Sequence, residues 1–227
     1  MSNSPHWLVM AQYSTASLTR SMEIIRHYFA QLTAEQEKQM HTLFTLYPLW
    51  NAKINVISRK DIDNLEVNHI LHSLAIAKFM QFVPGTQVLD LGTGGGFPAI
   101  PLAVLFPDTH FHLVDRIGKK LRVAEDVAQQ AGLANVTIQH GDIREVKGAF
   151  DFVVSRAVMP LPDIVPLVRR LIAKAQHNAL PNGLVCLKGG DLTDELKPFA
   201  NKVMVEEIAQ YFKEPFFETK RIVYLPL

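Results

Sequence analysis

Two periods of apolar and polar positions run along this chain, and the switch between them divides it. From Met22 to Phe82 apolar residues recur every three or four positions. Met22–Leu32 reads as a short amphipathic helix, and Thr33, with Gln36 three residues on, reads as a capping box that opens the next helix. That second helix carries Met40, Leu43, Phe44, Leu46 and Tyr47 on one face and reaches Pro48. A third, roughly Asn68–Phe82, turns Ile70, Leu71, Leu74, Ile76 and Phe79 inward. Beyond the turn signal Pro84-Gly85, short continuous apolar runs alternate with amphipathic stretches. Runs at 87–91, 110–114, 136–139, 151–155, 184–188, 203–211 and 217–225 predict strands, and 98–106, 117–131, 161–175 and 191–199 predict helices. Such alternation implies an α/β fold, a mostly parallel sheet with helices on both faces. Only a short turn around Glu214-Pro215 separates the last two strands, so they are expected to form an antiparallel hairpin. Three parts follow: residues 1–21 as an extension or leader outside the fold, 22–83 as a helical N-terminal region, and 84–227 as the sheet domain. The first part is rich in Ser, Thr, Asn and Gln and shows no helical periodicity.

Composition narrows the class. At 227 residues, with 48% hydrophobic residues, the chain can bury a substantial core. A net charge of +1 gives no global nucleic-acid footprint, so any basic surface must be local. The single cysteine, Cys186, rules out an internal disulfide framework and fits a reducing, cytoplasmic compartment. Its place in the apolar run Leu184–Leu187 marks it as a small buried hydrophobe. The apolar run Trp7–Ala11 is too short for a signal peptide or a membrane span, so no membrane association is expected.

The chemistry gathers at strand ends. Val88-Leu-Asp90-Leu-Gly92-Thr-Gly94-Gly95-Gly96-Phe97-Pro98 places a glycine cluster between the first strand and a helix that Pro98 and Pro101 can open. Glycines there let the backbone turn sharply and approach a ligand at a helix N-terminus. A dinucleotide site needs a glycine where Phe97 stands, which argues against nicotinamide cofactors. Asp90 enters the loop and could hold a ligand's amino group directly or through water. Asp115 ends the second strand, where a carboxylate can accept both hydroxyls of a ribose. Asp142, after the third strand, could read an adenine edge. Each acid has a structural alternative as a helix or turn cap; their occurrence at three successive strand ends favours a cofactor site. Nine histidines include His69 and His72, three apart, but no third ligand accompanies them, and no metal site is expected.

The glycine loop is similar to that of class I S-adenosylmethionine-dependent methyltransferases, and seven strands ending in an antiparallel pair resemble the sheet of that fold. More specifically, Trp50-Asn51-x-x-x-Asn55, His69-Ile70-Leu71-x-Ser73-Leu74, the Gly-Gly-Gly-Phe-Pro loop, Asp115-x-x-Gly118-Lys119-Lys120 and Ser155-Arg156-Ala157-Val158 resemble the bacterial ribosomal RNA guanine-N7 methyltransferases, also called glucose-inhibited division protein B. The resemblance spans residues 22 to about 200. It implies S-adenosylmethionine as cofactor, contacts at Gly92, Phe97, Ile143, Arg144 and Arg156, and Asp115 on the ribose; Gly94 is a further cofactor candidate as part of the glycine loop. It further implies ribosomal RNA or the small ribosomal subunit as partner; separately, a monomer is expected. Asn68 and His72 stand where the family often has Arg and Asp, and the basic Tyr-Pro-Arg-Arg ending of many members is absent.

Guanine N7 carries an in-plane lone pair and can attack a sulfonium methyl without prior deprotonation. The expected tools are therefore alignment and electrostatics, not a general base. Arg156, Asn51 and Asn55 are the positioning candidates; stacking by Trp50 or Tyr47 is the less favoured alternative to a core role. Local basic clusters are Lys53, Arg59 and Lys60; Lys119, Lys120 and Arg122; and Arg169, Arg170 and Lys174. The same machinery directed at another RNA, a small molecule or a protein, and a non-catalytic RNA-binding assembly factor, are the competing readings.

Overall fold

The computed structural model describes residues 15–156 and 158–227, with side chains from Met22 onward. Helix α1 (Thr15–Tyr28) begins well before Met22, so residues 15–21 belong to a helix and not to an extension. Met22 and Ile25 are buried and anchor it, and helix propagates back from that anchored turn despite the polar sequence. Residues 1–14, the rest of the expected extension, lie outside the described residues.

Thr33 caps α2 (Ala34–Asn51) with the reciprocal bonds of a capping box, at 3.2 Å and 2.9 Å to Gln36. The helix runs through Pro48 to Asn51, with the buried side chains of Leu46, Tyr47 and Asn51 holding its last turn against the cost of the proline. A π-helical stretch, Leu65–Leu71, then leads into α3 (His72–Phe79). The third helical segment therefore starts earlier and ends earlier than its periodicity suggested.

The sheet follows as β1 (Gln87–Leu91), β2 (His110–Asp115), β3 (Val136–His140), β4 (Phe152–Arg156), β5 (Gly183–Gly189), β6 (Met204–Glu207) and β7 (Lys220–Pro226). Between strands lie α4 (Ala99–Leu105), α5 (Gly118–Gln130), α6 (Leu161–Val168) and the single turn α7 (Thr193–Leu196). The strand order is β3-β2-β1-β4-β5-β7-β6, with β7 antiparallel to both its neighbours and β1 to β5 parallel. The last two strands do pair antiparallel, but not as a tight hairpin. The chain leaves β6 at Ile208 through 3-10 turns, which send Ile208, Phe212 and Phe217 into the core. Those burials break the period-two pattern that made 203–211 read as one strand.

One apolar cluster joins α1, α2 and α3 to the sheet through Val88, Phe111, Val154 and Tyr224. A second fills the other face, with Leu89, Val153 and Leu184 against Leu161, Ile164 and Val168 of α6. The carboxyl ends of β1, β2 and β4 thus open between two helical layers, the place where open α/β sheets bind ligands. Among the described residues no helix is long and apolar enough to cross a membrane.

Candidate active site

The loop after β1 turns on glycine. Gly92 has φ of +67° and faces Val158, whose methyl would lie 2.6 Å from an added Cβ, so neither backbone nor space admits a side chain. Four bonds brace the loop. Tyr47 Oη donates to Gly95 O at 2.9 Å, Thr93 Oγ1 to Asp90 Oδ2 at 2.7 Å, Gly94 N to Asp115 Oδ2 at 2.8 Å, and Ala99 N to Asp90 Oδ2 at 3.1 Å.

Beyond the loop lies a cavity of about 520 Å³, in the range of small-molecule sites. Of the sequence candidates, Gly92, Gly94, Phe97, Asp115, Ile143 and Arg156 line it. Leu91, Val114, Val158 and Leu167 give it apolar surface, and Lys120 and Arg116 add charge at its edge. Asp115 has one oxygen on Gly94 N and the other accepting from Ile117 N at 2.8 Å, ahead of α5. It therefore faces the cavity and also ties two backbone segments together.

Three candidates sit elsewhere. Asp90 is completely buried beneath the loop and caps α4 through Ala99, so a direct grip on a ligand's amino group is ruled out by its burial. Burial pushes its carboxyl up to about 7, and Oδ1 has no partner among the described residues. Asp142 caps the 3-10 turn Ile143–Glu145 and binds the guanidiniums of Arg144, at 2.9 Å, and Arg116. The bonds from the Arg144 guanidinium and the Arg144 amide, with a smaller contribution from the Arg116 charge, hold its carboxyl well below the usual range. Neither Asp142 nor Arg144 lines the cavity; the neighbouring Ile143 does.

Arg156, at the end of β4, stands over the Phe97 ring at 4.9 Å. Its Nη1 donates to Asn68 O at 3.3 Å and to Nδ1 of His69 at 3.1 Å. Nε2 of His69 lies 2.6 Å from Asp61 Oδ2, which fixes the neutral ring with its proton toward the carboxylate. Burial and the Arg156 charge lower His69 to about 4. This Asp61–His69–Arg156 chain escaped the sequence, which offered no reason to join a loop acid, a helical histidine and a strand-end arginine. The strand-end position of Arg156 was the one legible part.

Arg156, Val158 and Met159 also border a second cavity of about 620 Å³ that contains Asp61, His69, His72, Lys188, Glu195 and Phe216. Asn51 does not point there. It is buried, and its Oδ1 accepts from Val56 N and Ile57 N, both at 2.9 Å, which seats Val56 against Gly95. Asn55 lies beyond the end of α2 and is exposed, so the two amides share no helical face. Tyr47 is wholly buried, and Trp50 donates from Nε1 to Asp126 Oδ2 at 2.6 Å; both serve the core. Among the basic clusters, Lys53, Arg59, Lys60, Lys119 and Arg122 are exposed, while Arg170 is bonded to the carbonyls of Ile143, Arg144 and Val146.

The family model for rRNA small subunit methyltransferase G matches residues 36–223. The chain belongs to that family. It is 61% identical over 203 residues to "Ribosomal RNA small subunit methyltransferase G" of Bacteroides thetaiotaomicron, covering 89% of this chain and 98% of that protein. Its counterpart of the same name in Christiangramia forsetii is 49% identical, covering 91% and 98%. Among solved structures, a SAM-dependent methyltransferase from Aquifex aeolicus superposes with a TM-score of 0.54 at 16% identity, covering 74% of this chain and 98% of that one. Aeropyrum pernix fibrillarin, solved with natively bound S-adenosyl-L-methionine, gives 0.50 at 16% identity, covering 68% and 73%. These two likenesses establish the class I methyltransferase fold; membership of the methyltransferase G family rests on the sequence matches.

Proposed function

We propose that the protein transfers the methyl group of S-adenosylmethionine to N7 of a guanine in small-subunit ribosomal RNA. It is read as a cytoplasmic monomer acting on the RNA or on the small subunit particle. The observation that carries this reading is the cavity at the glycine loop, with Asp115 on one side and Arg156 on the other, in a chain of this family. Its donor set fits the cofactor. Asp115 suits ribose hydroxyls, the apolar patch of Leu91, Val114 and Ile143 suits an adenine, and Arg156 suits the methionine carboxylate. Gly92 and Gly94 line the cavity with no side chain to obstruct it.

When bound, the cofactor supplies an electrophilic methyl on a positively charged sulfur. The chain's own work is to align and to compensate charge. Arg156 is fixed by His69, Asn68 and Phe97 at the border of both cavities, where it can orient a carboxylate on one side and meet an acceptor on the other. No residue needs to withdraw a proton before transfer, since N7 is unprotonated.

Methyl transfer from labelled S-adenosylmethionine to unmethylated small subunits, with the label then mapped to a guanine, tests the reading. Incorporation only into protein or another nucleotide would overturn it. Asp115→Ala should weaken cofactor binding about 10- to 100-fold, the cost of one or two hydrogen bonds to a charged group. It should also lower stability by about 1–2 kcal/mol, because Gly94 and Ile117 lose their amide partner. Calorimetry and denaturant titration measure the two effects separately.

A further inference from the structure

We propose that the second cavity, between the Arg156 wall and Phe216, seats the acceptor base flipped out of the RNA, and that Asp61 selects guanine there. The proposal rests on the methyl-transfer reading given above. Three observations lead to it.

The first is placement. The cavity touches the cofactor cavity along Arg156, Val158 and Met159, so a base in it has one edge on the transfer path. At about 620 Å³ it has room for a purine entering from solvent. An enzyme that modifies a base in folded RNA must take that base out of its stack into such a pocket. Phe216, half-buried, contributes an aromatic ring that carries Lys220 Nζ 4.6 Å from its centroid, and Pro160, Leu187 and Leu192 add apolar lining.

The second is the order of donors and acceptors along the wall. Arg156, a donor, lies at the border with the cofactor cavity. Asp61, an acceptor, lies one imidazole ring further on, across His69. Guanine with N7 toward the methyl places O6 beside N7 and its N1–H and N2–H groups beyond. That is an acceptor followed by donors, the complement of Arg156 followed by Asp61. Adenine in the same pose presents its N6 amino group to the guanidinium and an unprotonated N1 beyond, so both positions mismatch. Each Asp61 oxygen already accepts one bond, from Asn68 Nδ2 and from His69 Nε2, both at 2.6 Å, and each keeps a second lone pair. The side chain lines the cavity and is one-third exposed. The carboxylate also offsets the positive charge the purine acquires on methylation.

The third is an unmet polar group. His72 lines this cavity, is more than nine-tenths buried, and its Nε2 has no partner among the described residues. Buried nitrogens of this kind are usually satisfied, and a polar ligand in the cavity would supply the partner.

Asp61→Asn and Phe216→Leu test the assignment with unmethylated small subunits as substrate. Asparagine at position 61 can still accept from His69 through its one oxygen, and a turned Asn68 amide can accept from its NH2 group, so the Arg156 support persists while the charged acceptor is lost. Leucine at 216 keeps contact with Phe217 and removes the aromatic ring. The expected result is a loss of roughly 10- to 100-fold in kcat/KM for the subunits in each variant. The dissociation constant for S-adenosylhomocysteine should stay within about twofold of wild type. Wild-type kcat/KM in either folded variant would overturn the proposal. Loss of cofactor affinity in Asp61→Asn would also overturn it, since Asp61 would then act through Arg156 on the cofactor alone. Failure of the wild-type protein itself to methylate the subunits would instead remove the proposed function.

Discussion

At the scale of single residues, the site depends on which ionisable groups the fold keeps neutral. His69 must present a lone pair to Arg156, and a proton there would set two cations side by side. Burial and Arg156 hold it near 4, against an ordinary 6.5. The unfolded chain therefore takes up this proton at a higher pH than the folded one. The stabilisation is complete above pH 6.5 and is lost as pH falls toward 4. Asp90 acts with the opposite sign. Its folded value near 7 lies above the ordinary 3.8, so the folded chain binds more protons in between and stability declines as pH rises through that range. The variant His69→Gln separates the two, because an amide can donate to Asp61 and accept from Arg156 without titrating. At pH 7.5 it should match wild-type stability to within about 1 kcal/mol. Between pH 6.5 and 4.5 it should lose less than wild type, by on the order of 1–3 kcal/mol. Urea titrations at the two pH values measure this, and parallel losses in both proteins would remove His69 from the acid-sensitive groups.

At the scale of elements, the glycine loop is shaped from outside as much as by its own sequence. Gly95 has no positive φ, yet a Cβ there would meet Val56 Cβ at 2.7 Å, and Val56 is held in place by Asn51. Gly95→Ala should therefore cost about 1–3 kcal/mol through overpacking alone, and that cost should nearly vanish in a Val56→Gly background, where the Cβ and both methyls of residue 56 are gone. A double-mutant cycle by thermal denaturation checks this; an equal cost for Gly95→Ala in both backgrounds would mean Val56 is not what crowds the loop. The same contrast explains what the sequence disclosed. The strands β1 to β5, the glycines, Asp115 and Arg156 were legible because their signals are local: an apolar run, a turn, a polar residue at its end. Tyr47 on Gly95 and Asp61 on the way to Arg156 were not. Tyr47 and Gly95 are 48 positions apart, and His69 and Arg156 are 87 apart. The capping bonds of Asn51, though local, compete with base contact for the same amide, and only its burial decides between them. The sixth strand was overdrawn because Ile208 and Phe212 are apolar for the core's sake, not for a sheet face.

At the scale of the whole molecule, the helical region and the sheet divide in sequence pattern but not in packing. Met40, Leu43, Phe44 and Tyr47 of α2 are buried in the same cluster as Val88, Phe111 and Tyr224 of the sheet. The rest of that face of the sheet is covered by α3, α4 and α5, with Phe82 against Phe111 and Phe152. Each fully buried large apolar side chain contributes about 1.5–3 kcal/mol. Losing α1 and α2, with Met22, Ile25, Leu46 and the four above, removes an amount comparable to the whole stability of a typical domain, about 5–15 kcal/mol. The same deletion takes away Tyr47 Oη from Gly95 and Asn51 from the loop that carries Val56. A chain of residues 56–227 should accordingly show no cooperative thermal transition and no fixed aromatic environment in near-ultraviolet circular dichroism, and it should not bind S-adenosylhomocysteine. Cooperative unfolding of that fragment would establish the sheet as an independent domain. The N-terminal helices would then serve only to brace the loop, and adding them back as a separate chain should restore cofactor binding.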